Sequence, residues 1–323
     1  MANRFIQGKF NPPGNFELVT RDGGNPNKLV HIWRDQSFTW QPSQLSQAEV
    51  VSPAASSPGA IIQNWVSTPN NPGDFEVLVL EGSNLVHYRK DNSNTMNPWT
   101  KADPFIVSTK ATAEASFIQS NVGASSNNFE AVVLEGSNLV HYCKDNSTPG
   151  NKWNPMAVIS SHASSAGCII QSTLGASSNN FEVVVLEGSN LVHYYRDNSI
   201  PADGSPPTYA WSPKPTATIS SQAVSSASLI QSDLGASHNN FEVVVLEAGG
   251  LGSQQDNLVH YYRDNGDASP VVYEAVLAEL HTQVLRQRLT QNSPLNAPVS
   301  VRRMAKTQHS KTPFYRLFTL MCL

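Results

Sequence analysis

The stretch "NNFEVVVLEGSNLVHYYRDN" at residues 179–198 decides the fold, because the chain spells it out several times. Near copies are "GDFEVLVLEGSNLVHYRKDN" at 73–92 and "NNFEAVVLEGSNLVHYCKDN" at 127–146. A looser copy, "GNFELVTRDGGNPNKLVHIWRD", stands at 14–35, and an expanded one, "NNFEVVVLEAGGLGSQQDNLVHYYRDN", at 239–265. Their phenylalanines, Phe16, Phe75, Phe129, Phe181 and Phe241, fall 59, 54, 52 and 60 residues apart. A repeat period of this length marks one supersecondary unit stacked several times, so fold and function are read per repeat.

Each unit reads as four short strands. The first is an apolar run ending in glutamine, as in "FIQ" at Phe5–Gln7, "IIQN" at Ile61–Asn64 and "IIQS" at Ile169–Ser172. The second, "FEVVVLE", carries β-branched residues on both alternating faces, the pattern of a strand covered on both sides. A Gly-Ser-Asn link, read as three residues at Gly188–Asn190, suits a tight hairpin. In the third strand Leu191, His193 and Tyr195 alternate with Val192, Tyr194 and Arg196. The fourth carries Trp40, Trp99, Trp153 or Trp211, followed by polar residues. The expected fold is therefore all-β, a β-propeller of about five four-stranded blades with the last one incomplete. The propeller should occupy residues 1–275, with blades near 5–50, 59–108, 115–160, 167–220 and 227–275.

Blade five departs from the pattern. Its second and third strands are joined by Ala248–Asn257, and after Asp264 no tryptophan strand arrives. Instead Tyr273, Leu277, Leu280 and Val284 fall at helical spacing. Residues 276–323 form a basic tail, expected to be partly helical or disordered. From residue 280 onward there is no acid but seven bases, Arg286, Arg288, Arg302, Arg303, Lys306, Lys311 and Arg316, which leaves a net charge of −11 on residues 1–279. Three readings of the tail compete: a docking or anchoring segment, a helix capping the open blade, or an array cut off or read out of frame after Asp264. The change of style inside a repeat favours the last. Without an outer strand on blade five, the ring should be open, strained or completed by association.

Composition sets further bounds. Hydrophobic residues make up 39% and charged residues 14%, which suits a soluble all-β array better than a charged helical or disordered chain. No apolar run is long enough to span a membrane. The start, "MANRFIQGKF", lacks the apolar core of a secretory signal, so a cytoplasmic or non-classically released protein is expected. Cys143, Cys168 and Cys322 occupy unrelated repeat positions without metal-type spacing, which argues against a disulfide framework. An acidic body repels phosphate, so nucleic acid is not an expected partner.

The order "IIQS", "NFEVVVLEG", "NLVHYYRD" and then Trp resembles the repeats of PLL-type propeller lectins and the related tectonin repeats, over about residues 5–265. The resemblance implies a propeller that binds sugars in clefts between blades: fucose or methylated sugars, or N-acetylated sugars as in the similar tachylectin type. The chain departs from the family where a second aromatic should follow the histidine. That position holds Trp33 in blade one but Arg89, Cys143, Tyr195 and Tyr262 in the others.

On this reading the site candidates are Trp40, Trp99, Trp153 and Trp211, whose flat faces suit the C–H side of a pyranose, together with His87, His141 and His193. Each has a competing structural role: tryptophan as filler between blades, histidine as a fastener that recurs with His31 and His260 in every repeat. The acids Glu76 and Glu81, and their counterparts, are five residues apart and face opposite ways, so they are not an acid–base couple. "DNSNTMN" at 91–97 is turn chemistry rather than a calcium loop. No catalytic motif, metal set or cofactor fingerprint is present. The expectation is a non-catalytic, multivalent glycan-binding module without a cofactor. The alternative is a propeller scaffold for protein partners, self-association that closes the ring included.

Overall fold

The computed structural model of the chain describes residues 4–278, apart from 10–13, 36, 66–71, 95, 123–126, 148–149, 175–178, 199–209, 234–238, 250–255 and 266–273. Five antiparallel sheets follow one another, each running first to fourth strand in chain order. They form a β-propeller with blades at Phe5–Ser52, Ala60–Ser108, Ser116–Ser160, Cys168–Ser220 and Ser228–Ala278. Among the described residues the one helical element is a 3-10 turn at Leu45–Gln47, inserted where the fourth strand of blade 1 breaks into Trp40–Gln41 and Glu49–Ser52. The first strands of neighbouring blades lie side by side around the axis. Arg4, just before blade 1, reaches Glu114, just before blade 3, at 2.8 Å.

Patterning explains the blades. In blade 4 the second strand, Phe181–Glu187, is buried at every position but the last, because a blade is covered by a neighbour on both faces. Phe181, Val183 and Val185 join Val132, Leu134 and Leu139 of blade 3, while Val184, Leu186 and Leu191 join Phe241, Val243 and Val245 of blade 5. Fully burying one such side chain is worth roughly 1.5–3 kcal/mol. The hairpin is tighter than its Gly-Ser-Asn link suggests. Glu187 pairs with Asn190, leaving a two-residue loop in which Gly188 has φ of +64°. Positive φ at the first central residue alone is the type II′ turn, which matches strand twist and favours glycine there.

A polar fastener repeats between blades. The serine ending the fourth strand of blades 1 to 4 donates to the glutamate ending the second strand of the next blade, as Ser52 does to Glu81 at 2.5 Å. Ser108 to Glu135, Ser160 to Glu187 and Ser220 to Glu247 repeat it. A tyrosine of the receiving blade donates to the same carboxylate, Tyr142 to Glu135 at 2.6 Å and Tyr194 to Glu187 at 2.7 Å. Burial, and then these hydrogen bonds, push both phenols up to about 12.

Blade 5 corrects the sequence reading. It has a fourth strand, Glu274–Ala278, paired from Leu258↔Ala278 to Tyr262↔Glu274. The helical spacing through Leu277 therefore lost to strand pairing over these residues. An uncovered edge on Asn257–Arg263 supplies backbone partners from Leu258 to Tyr262, and tertiary pairing of this kind overrides a weak local preference. The remaining helical positions, Tyr273, Leu280 and Val284, and the tail from residue 279 lie outside the described residues.

Candidate functional site

The per-blade histidine is built into the fold. On each third strand its Nε2 lies against the second-strand glutamate of the same blade: His31 on Glu17 at 2.9 Å, His87 on Glu76, His141 on Glu130 and His193 on Glu182 at 2.8 Å, and His260 on Glu242 at 2.7 Å. A carboxylate only accepts, so Nε2 carries the proton, and in the neutral ring Nδ1 is left to accept. Cys143, beside the same Glu130, is no nucleophile: burial, and then that carboxylate, hold its thiol well above the usual range.

Across the blade boundary the tryptophan of the next blade closes on this histidine. Trp99 meets His31 edge-on at 5.5 Å, Trp153 meets His87 at 5.7 Å and Trp211 meets His141 at 5.5 Å. Trp211 Nε1 donates to His141 Nδ1 at 3.4 Å. Trp99 and Trp153 also stack on Phe75 and Phe129 at 6.5 and 6.3 Å. The structure thus brings the predicted tryptophans and histidines together, but as fillings: Trp99, Trp153 and Trp211 are only 6–9% exposed. Trp40 is half-buried against Phe5 at 6.4 Å.

Local charge then tunes each copy differently. At His31, burial works against protonation, but hydrogen bonds to Glu17 and Glu49 outweigh it and the pKa is raised. Glu49 is shared with Lys90 of blade 2, whose Nζ is 2.6 Å from it. At His141, burial and the Arg196 guanidinium beside it lower the pKa despite Glu130. Arg196 Nη1 donates to His141 Nδ1 at 3.4 Å and Nε to Asn198 at 2.6 Å.

Between blades 4 and 5 the arrangement changes, because no tryptophan follows Trp211 in the sequence. His193 meets Phe241 edge-on at 5.9 Å and Thr216 Oγ1 at 3.3 Å from its Nδ1, and beside it opens a cavity of about 400 Å³. Among the described residues it is lined by Leu174, Asn180, Glu182, His193, Tyr195 and Thr216 of blade 4 and by Arg263 and Asn265 of blade 5. A scan against protein-family models and a search of curated proteins both find no match for the chain.

Two groups in the cavity stand without the partners their counterparts have. The Arg263 guanidinium lies over Phe241 at 5.7 Å and, among the described residues, makes no hydrogen bond or ion pair, unlike Arg196. Asn265 donates to Asn239 O, but its buried Oδ1 has no partner. Glu182 is by contrast occupied, by His193 and by Ser172 at 3.0 Å. The Thr216 hydroxyl is likewise taken, donating to His193 O at 3.1 Å, so the cavity offers a planar cation, an amide oxygen and the Tyr195 ring, which is 38% exposed. Asn180, Thr216 and Asn265 were not singled out in the sequence; the missing tryptophan of blade five was the signal for them. Among the described residues no cluster of three His, Cys, Asp or Glu is placed to hold a metal ion, and no helix is long and apolar enough to cross a membrane.

Proposed function

We propose that the chain is a non-catalytic propeller that binds a carbohydrate in the cleft between blades 4 and 5. The observation that carries the reading is the cavity beside His193, where the indole that fills the other three clefts is missing. Its volume lies in the range of small-ligand pockets, about 300–1,000 Å³. Its lining suits a polyhydroxylated ring: Arg263 donates, Asn265 Oδ1 accepts, and Tyr195 provides a flat apolar face. The lectin-like repeat pattern in the sequence points the same way.

The test pairs a glycan array with calorimetric titration of whatever the array binds. Arg263→Ala should abolish or strongly weaken binding while leaving the melting temperature nearly unchanged. Trp153→Ala should do the reverse, costing about 3–5 kcal/mol of stability, the penalty for emptying a buried aromatic site, without changing sugar stoichiometry. A folded parent protein that binds nothing on the array ends the carbohydrate reading and leaves the protein-scaffold alternative.

A further inference from the structure

The four boundaries inside the array share the serine–glutamate fastener and apolar packing, and among the described residues the two terminal faces of the array are its unmatched halves. On the far face of blade 5, Val244, Leu246 and Leu258 are half-buried, whereas the matching Val132, Leu134 and Leu139 of blade 3 are 0%, 7% and 0% exposed. The His260 side chain is 39% exposed; those of the other four repeat histidines lie between 0% and 3%. On the near face of blade 1, Phe5 is 50% exposed, and Phe16, Leu18 and Trp40 are half-buried, whereas the matching Phe75, Phe129, Phe181 and Phe241 reach at most 5%. The apolar cluster of blade 5 runs into blade 4, and that on the near face of blade 1 consists of blade 1 residues.

The polar fastener is lost on both sides of this seam. Register places Ala278 opposite Leu258, where the other blades have serine opposite leucine, as in Leu139↔Ser160. In blade 1, Asp22 and Ile32 occupy the glutamate and tyrosine positions. What remains is complementary. Blade 5 presents an apolar strip with the Glu242–His260 pair. Blade 1 presents an aromatic strip with Arg34, which belongs to the series Lys90, Lys144, Arg196 and Arg263. Lys90 reaches Glu49, and Arg196 reaches His141, in the blade before. Arg34 lies over Phe16 at 4.9 Å, and its buried Nε has no hydrogen-bond partner.

We infer that the free face of blade 5 docks on the free face of blade 1 in a second copy of this chain, so that the protein self-associates head to tail. The partner is another copy because the two faces are the two sides of an interface the chain already builds four times, with the cation Arg34 on one side and the acid Glu242 on the other. Such a contact is heterologous: each copy retains one unused face, so assembly proceeds until the ends meet or the protein is exhausted. The cleft between blades 4 and 5 is then repeated once per copy along the assembly, the arrangement in which weak sites gain avidity.

The test uses the full chain and light scattering behind size exclusion over a range of concentrations. The parent should rise above the 35.1 kDa of one chain in whole multiples as concentration increases. Phe5→Glu blocks the blade 1 face and Leu246→Glu blocks the blade 5 face; each alone should run as a single chain with unchanged circular dichroism. Mixed one to one, they should recover a mass of two chains and no more, because each supplies the face the other lacks. That recovery also shows that both variants are folded. A parent that stays at single-chain mass up to its solubility limit, or a mixture that stays monomeric although both variants melt like the parent, overturns the inference. Neither result bears on the His193 cleft, whose glycan titration is read separately.

Discussion

The same residue in the same repeat position carries opposite electrostatics in different blades, and this yields a test at the scale of single residues. His31 sits between Glu17 and Glu49 and is held above its usual value; His141 is held below it by burial, with Arg196 beside it adding to the effect. A raised value in the fold means stability that is complete below the usual histidine pKa and drains away as pH rises through the folded value. A lowered value means stability that is present above the usual pKa and lost as pH falls. The stability gap between parent and His31→Gln should therefore be widest in acid and narrow toward alkaline pH. For His141→Gln it should be widest above neutrality and narrow in acid. Urea midpoints at several pH values measure both gaps, and two gaps that run the same way with pH would falsify the electrostatic account. The histidines were legible in the sequence as fasteners, but these differences were not. They arise from Glu49 and Arg196, which reach the histidines across blade boundaries that a repeat alignment does not show.

At the scale of the element, the strands read well because their reasons are local. Alternation in Leu191–Arg196 and two-sided apolarity in Phe181–Glu187 fix a strand whatever surrounds it. The link was misread by one residue because Asn190 looks like turn chemistry, yet it pairs with Glu187. Glu274–Ala278 was misread because its fate is not local: it is a strand on account of the edge beside it. The turn offers the cleaner experiment. A Cβ added at Gly188 would meet nothing within 4 Å, so any penalty for Gly188→Ala comes from backbone strain at φ +64° rather than from a clash. The expected loss is about 1–3 kcal/mol, the usual range for a residue forced into a sparsely populated conformation. Thermal unfolding reads it directly. A variant as stable as the parent would mean that the turn relaxes to another type at no cost.

For the whole molecule, an array of blades behaves as a row of units stabilised by their neighbours, so the ends should open before the middle. Blades 2, 3 and 4 are packed on both faces, whereas the far face of blade 5 carries only half-buried apolar residues and its last fastener has become Ala278. Hydrogen exchange on dilute protein should therefore find the slowest amides in Phe129–Glu135 and Leu139–Lys144 and much faster ones in Phe241–Glu247 and Asn257–Arg263. A ligand in the cleft between blades 4 and 5 should change this order. Its contacts reach Arg263 and Asn265, so opening blade 5 would first require releasing it. At a free concentration of 100 Kd the added protection is about 2.7 kcal/mol, roughly a hundredfold slower exchange, for any opening that destroys the site. Slowing confined to blades 4 and 5 would place the ligand in this cleft. Equal slowing of blade 2 would instead mean that the array opens as one unit, and that neighbour-by-neighbour stability does not describe this propeller.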